Sequence, residues 1–426
     1  MHSSVHQTES LLFYILLELI VMIAVARSGN RILRRFGQPG VVGEIIAGLL
    51  LGPSLFGHFF PAASLKLFGS NTSTSITIIS QIGLVLLMFQ IGTEFEFGLL
   101  KNARNRRGTL GIAVASIAVP CALGFGIGEL SAHALAPAAD PVTYSLFCGV
   151  GLAITAVPIL GRILREFHLT DTDIGVVAIS AAAVNDVVGW ILLAAISAYA
   201  AAHFSARSLV IQIAGVVLLG LIAWFVLRSL ARWLLRTMPI ERGNVPPDLM
   251  TVVLCLIFVM GICTYKLGIF TIFGGFLAGL LFHQDREFVD AWRSQVGKFV
   301  LVFFLPVFFT YTGLRTNVLG LTGESDWLWL CLILGGAILA KIVPVYLAGR
   351  TCGFDRNESL ILGSLMNTRA LMELIVLNIG YDLGFIPPTA FTMFVIMAVV
   401  TTVMTGPILR LLLPRIGHEI PHGTEA

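Results

Sequence analysis

Asn185 and Asp186 stand side by side in a stretch that carries no other charged residue from Ile174 to Ala201. A carboxylate at the centre of a bilayer costs roughly 3 kcal/mol or more. It persists where it faces a cavity, a partner or an ion. Out of water the charged form is penalised, so such a group holds either a proton or a cation. One site that takes H⁺ or a cation, but never both, couples the two fluxes by competition. Asn185 adds a carbonyl oxygen without adding a second charge. The pair reads as the ion- and proton-binding site of a membrane transporter, with Asp186 as the ligand of an alkali cation.

Further charges lie in apolar stretches. Lys341, in AILAKIVPVYLAG, has no Asp or Glu at helical spacing within its own span. It is expected to face another helix, towards Asp186 or towards the Arg369 region. There it tunes Asp186, occupies its site when the ion leaves, or forms a structural salt bridge. Arg369 follows Asn367 and Thr368 in MNTRALMELIVLNIG and is read as compensating the carbonyl ends of an interrupted helix. Glu373 lies one turn later, an i,i+4 partner for Arg369. Glu44, Glu94 and Glu96 fall near the cytoplasmic ends of predicted helices, where they line an inward funnel for cations or pair with nearby arginines.

The elements that position these groups are membrane helices. The chain has 426 residues, 57% hydrophobic and 12% charged, against about 25% charged in soluble domains. Windows of about 20 apolar residues mark spanning helices. Thirteen are expected, at about 11–28, 41–57, 75–97, 108–131, 143–166, 172–200, 208–236, 248–265, 268–284, 296–315, 327–349, 357–381 and 388–413. With the N-terminus outside, twenty-one of the 27 Lys and Arg fall in cytoplasmic segments and four outside. That asymmetry predicts an N-out, C-in topology. The net charge of +3 gives no reason to expect nucleic acid as a partner. The six cysteines form no CxxC pair and read as small buried hydrophobes. The N-terminal MHSSVHQTES has no basic region and is not read as a cleaved signal peptide.

Two spans are interrupted. The fifth has a Thr155-Ala156-Val157-Pro158 break, where the Pro158 ring removes a backbone donor. The twelfth carries Asn367-Thr368-Arg369 at mid-span. Thr155 and carbonyls freed at the first break are candidates to complete a dehydrated cation shell. Broken helices at corresponding positions of two halves point to a transporter site. They lie seven helices apart and so run in opposite senses. The expected fold is an all-α polytopic membrane protein of two inverted repeats. Repeat one covers about 11–200, a linker helix 208–236 and repeat two 248–413. A short cytoplasmic tail covers 415–426.

The stretches GVVGEIIAGLLLGPSLFG, AAAVNDVVGWILLA and MNTRALMELIVLNIG together resemble the monovalent cation:proton antiporter superfamily. The branch is that of plant cation/H⁺ exchangers and bacterial potassium-efflux and sodium/proton antiporters. The resemblance covers about residues 10–414. It implies a homodimer in the bacterial inner membrane, each protomer with a dimerisation part and a core part holding two crossing broken helices. The core slides against the scaffold in an elevator-like motion. The family's essential aspartate carries over to Asp186 and its neighbour to Asn185. Its break threonine carries over to Thr155 and its intramembrane basic residue to Lys341. Asn-Asp members are often associated with one-for-one exchange, Asp-Asp members with electrogenic exchange. Two departures stand out. The family often has Lys-Gly where this chain has Arg369-Ala370, and the chain ends about a dozen residues after its last span, without the nucleotide-binding domain of the potassium-efflux relatives.

The resulting expectation is a secondary antiporter exchanging Na⁺ or K⁺ for H⁺. The alternative is a sodium-coupled symporter of a small organic anion, with Arg369 binding the substrate's carboxylate. No Walker motif, HExxH or Ser/His/Asp set supports an enzyme, and no cofactor is expected.

Overall fold

The computed structural model describes residues 2–38, 40–94, 103–170, 172–201, 206–241, 243–267 and 270–418. These residues are helical throughout, with one isolated bridge between Glu241 and Asn244 and no strand. A bilayer offers the backbone no water, so each crossing segment must satisfy its own N–H and C=O groups, which a helix does. Eleven helices among the described residues are long and apolar enough to cross a membrane. The expected spans at 143–166 and 268–284 are not among them. The first is cut into Pro141–Ala153 and Val157–Glu166, and the second is the short helix Thr271–Leu280. The 357–381 span is likewise cut, into Arg356–Met366 and Leu371–Asp382.

The chain divides into two compact units. One comprises Val25–Pro61, Phe97–Leu193 and Thr312–Ala426, and holds both broken helices. In it the half-helix Pro141–Ala153 lies along helix Ala103–Leu135, which also meets helix Glu324–Thr351. Small residues let the first two backbones touch: a methyl group on Gly128 would fall 2.5 Å from Ser145 Cα. Close approach of this kind drives association where lipid removes the hydrophobic incentive. Asp140 starts the half-helix by accepting from Thr143 N at 2.8 Å, with Pro141 at the first position, where a missing N–H costs nothing.

The other unit comprises Met1–Ala24, Ala62–Glu96 and Ala194–Tyr311. Helix Ser70–Thr93 packs there against Thr271–Leu280. An aromatic cluster closes one end: the Phe89 and Trp292 rings lie 4.7 Å apart, as do those of Phe282 and Phe288.

Candidate ion-binding site

The two breaks meet. Residues Ile154–Ala156 are extended between their half-helices. There Ala156 N donates to Thr368 O at 3.1 Å, and the Thr155 hydroxyl donates to Met366 O at 3.0 Å. Each break thus satisfies polar groups that the other exposes. Pro158 sits in the first turn of Val157–Glu166. It starts the second half-helix instead of kinking a continuous one. At the second break Ala370 takes φ 92°, ψ −95°, a region that L-residues avoid. Thr402 and Thr405 line this break from helix Pro388–Leu412, the first accepting from Arg369 N at 3.3 Å. Asn367 Nδ2 reaches only Met404 Sδ, at 3.6 Å, and its Oδ1 has no donor.

Asn185 and Asp186 come from helix Asp173–Ala201 and are 1% and 3% exposed. Asn185 Nδ2 donates to Ser116 Oγ at 3.1 Å and to Thr155 Oγ1 at 3.2 Å. That fixes the amide so that Oδ1 is left without a donor, as are both carboxylate oxygens of Asp186. The Val157 N–H, at the positive end of the second half-helix, faces the carboxylate without closing a hydrogen bond. Three buried oxygens on two adjacent residues therefore accept no hydrogen bond. Hard oxygen atoms in that state suit a dehydrated alkali cation or a proton.

Thr155 holds the site together through a saturated hydroxyl. Its oxygen donates once and accepts twice, from Asn185 Nδ2 and from Lys341 Nζ at 2.8 Å. A hydroxyl has one proton and two lone pairs, so none is left to ligate a cation. Thr155 orients Asn185 and Lys341 where a direct ligand was expected.

Lys341 is wholly buried and faces the first break, not the second. Its ammonium gives its protons to Ser116 O, Ala153 O and Thr155 Oγ1. It feels the Asp186 charge but makes no hydrogen bond to it. Ser116 is the site residue that sequence reading missed. The signal was Pro120, inside helix Ala103–Leu135. It lies four residues on and has no N–H to give to Ser116 O. The freed carbonyl takes the lysine instead.

Arg369 is also wholly buried. Nη1 donates to Gly151 O at 3.0 Å and Nη2 to Ala337 O at 3.2 Å. Both cations thus gather at the C-terminal, partially negative end of Pro141–Ala153. Arg369 was expected to serve the carbonyl ends of its own interrupted helix; its two carbonyl partners lie instead in Pro141–Ala153 and Glu324–Thr351. The guanidinium is enclosed, with both terminal nitrogens engaged and Nε without an acceptor. Glu373 is fully buried, 3.9 Å from Arg369 Nη1, and neither of its oxygens accepts a hydrogen bond. The i,i+4 pair is a charge juxtaposition, not a closed salt bridge.

Of the expected funnel residues, Glu44 is 2% exposed. It accepts from Asn30 Nδ2, with Arg27 at 3.9 Å. It is a buried, partnered carboxylate, not the lining of an open funnel. Glu94 is in the other unit and exposed, with Gln90 Nε2 at 3.1 Å and Arg293 at 3.5 Å. Glu96 lies outside the described residues.

With this geometry in view, the chain can be set beside known proteins. The family of transmembrane sodium/hydrogen exchangers matches residues 19–415. The Na(+)/H(+) antiporter NhaS4 of Synechocystis is 35% identical over 418 residues, covering 96% of this chain and 99% of its own. Cation/H(+) antiporter 17 of Arabidopsis thaliana is 35% identical over 397 residues, covering 92% of this chain. The present chain spans 48% of that plant protein. Among solved structures, the sodium proton antiporter MjNhaP1 of Methanocaldococcus jannaschii superposes with a TM-score of 0.67 at 15% identity. The match covers 97% of this chain and 99% of that one.

Proposed function

The chain belongs to the transmembrane sodium/hydrogen exchanger family, and on that premise we propose that it is a secondary active antiporter. It exchanges a monovalent cation, Na⁺ or K⁺, for H⁺ across a membrane. One observation carries the assignment of the site: both oxygens of Asp186 and Oδ1 of Asn185 are buried without a hydrogen-bond donor, on adjacent residues of a helix whose Asn185 side chain reaches Thr155 at the first break. Asp186 holds either the cation or the proton, and Asn185 contributes its carbonyl oxygen to the cation. Lys341 supplies a fixed positive charge that offsets Asp186 when the site is empty.

The unit that contains the broken helices acts as the moving core, and the other unit as the scaffold on which two protomers pair. The core carries Asp186 between the two sides in an elevator-like step. The two broken helices belong to inverted repeats, the topology is N-out and C-in, and the membrane is the bacterial inner membrane. Arginines at the ends of Glu9–Arg35 and Arg356–Asp382 support that orientation.

The test is cation-driven proton movement in proteoliposomes, followed by an internal pH dye over pH 6–9 with Li⁺, Na⁺, K⁺ and Rb⁺. Because the ions compete, the cation concentration for half-maximal exchange rises as pH falls. Asp186→Asn abolishes exchange in a folded protein. Full exchange in that variant would sink the assignment.

A further inference from the structure

A second feature of the chain lies within the other unit. Arg228, Arg232 and Arg236 repeat every four residues along helix Arg228–Thr237 and share one face. They form one wall of a cavity of about 260 Å³. Leu281, Phe282, Gln284 and Asp285, just beyond helix Thr271–Leu280, form the other.

The arginines are charged and available. None of the three makes an ion pair among the described residues. Arg228 Cζ lies over the Trp224 ring, 4.3 Å from its centroid. Arg232 reaches only Ser229 Oγ, at 3.5 Å. The one carboxylate on the wall, Asp285, caps helix Arg286–Trp292, its Oδ1 accepting from Phe288 N at 2.9 Å.

The surroundings say what kind of ligand enters. The cavity is at the end of the membrane span Val217–Thr237. The same helical segment turns Trp224, Phe225, Val226, Leu230 and Trp233 outward, each exposed. Exposed apolar side chains on a spanning helix face acyl chains, and a tryptophan near its end, here Trp233, sits at headgroup level. Guanidinium groups bind phosphate oxygens bidentately, and basic pockets at membrane ends bind anionic headgroups. A free anion would use the arginines but gain nothing from the apolar face. An anionic phospholipid uses both.

We propose that Arg228, Arg232 and Arg236 form a binding site for the phosphate headgroup of an anionic phospholipid, whose acyl chains lie along the exposed Val226, Leu230 and Trp233 side chains of the same helical segment. The site is independent of the ion-binding residues.

The experiment melts the purified full chain in detergent with phosphatidylglycerol, phosphatidylcholine or inorganic phosphate added, and counts retained lipids by native mass spectrometry. Phosphatidylglycerol is expected to raise the melting temperature by several degrees and to remain bound. Phosphatidylcholine and inorganic phosphate do neither. The triple variant R228Q/R232Q/R236Q loses both effects while its cation/proton exchange in phosphatidylcholine liposomes matches wild type. Arg232→Gln alone loses part of them and serves if the triple variant does not fold. Equal stabilisation of wild type and variant by phosphatidylglycerol would overturn the proposal. So would stabilisation of wild type by inorganic phosphate alone, which would mark a free-anion site. A face covered only by a second copy of the chain would retain no phosphatidylglycerol in a dimer, which also overturns it.

Discussion

The two half-helices that begin at the breaks each place a carboxylate near their positive ends, and the two carboxylates are built for different work. Asp186 faces the start of Val157–Glu166 from a neighbouring helix, and the residue before it, Asn185, also has a buried carbonyl oxygen without a donor. Glu373 sits in the first turn of its own half-helix, Leu371–Asp382, and has a guanidinium 3.9 Å away. Oxygen beside a carboxylate makes a cation site. A guanidinium 3.9 Å away disfavours a cation at Glu373, whereas the Lys341 ammonium is turned to carbonyl oxygens and makes no hydrogen bond to Asp186. The two breaks thus provide two similar frames, and in the proposed function the nearest neighbour sets Asp186 apart as the one that handles the transported ion.

The sharpest way to break that contrast is to neutralise each carboxylate. Asp186→Asn removes the only charged ligand and is expected to abolish exchange. Glu373→Gln replaces a side chain that accepts no hydrogen bond, and Arg369 keeps its two carbonyl partners. Exchange should then stay within about tenfold of wild type, a barrier change of about 1.4 kcal/mol. Complete loss in a folded Glu373→Gln protein would place Glu373 in the transport site and end the distinction.

Next in size is Lys341→Met. It leaves Ser116 O and Ala153 O without their donor and Asp186 without its compensating charge. Stranding a buried charge costs about 3–5 kcal/mol. The melting temperature in detergent should fall by several degrees, and the pH profile of exchange should move. A variant that melts with wild type and keeps its pH profile would show that Lys341 neither supports the first break nor offsets Asp186.

The sequence made the principal parts of this site legible because charge is expensive in an apolar helix. Asp186, Lys341 and Arg369 could be picked out on that ground, and the breaks from Pro158 and Asn367-Thr368-Arg369. The partners were less legible. Lys341 has no hydrogen bond to the carboxylate, because Pro120 and the first break free carbonyls that solvate an ammonium well. Which carbonyls those are depends on which helices are neighbours. Thr155 looked like a ligand because its type fits one. Only the simultaneous approach of Met366 O, Asn185 and Lys341 shows its hydroxyl to be full. Glu44 stood near a predicted helix end, yet it is buried against Asn30. A position along a helix does not say which side of it is covered.

Ser116→Ala tests the partner that only Pro120 signalled. The backbone carbonyl that holds Lys341 survives, and Asn185 Nδ2 loses one acceptor. A lost hydrogen bond of this kind is worth about 1 kcal/mol, or roughly fivefold in affinity. The loss should fall on the cation concentration for half-maximal exchange at fixed pH, with little change in maximal rate. An unchanged half-saturation would mean that Thr155 alone orients Asn185.

The smallest effect concerns the second break itself. Ala370 holds φ 92°, ψ −95°, and a non-glycine residue in such a region costs on the order of 1–3 kcal/mol. Glycine adopts it freely but gives back part of that gain through the entropy of the unfolded chain. Ala370→Gly should therefore stabilise the protein by about 1 kcal/mol, read as a small rise in melting temperature. The strain lies between Arg369 and the start of the half-helix that carries Glu373, so releasing it acts on the static frame and not on Asp186. Exchange should keep its cation dependence. A lower melting temperature would show that the Ala370 methyl, wholly buried, contributes more by packing than its backbone loses. A changed cation dependence would show that the second break sets the geometry of the first, and the two carboxylate frames would then have to be treated as one.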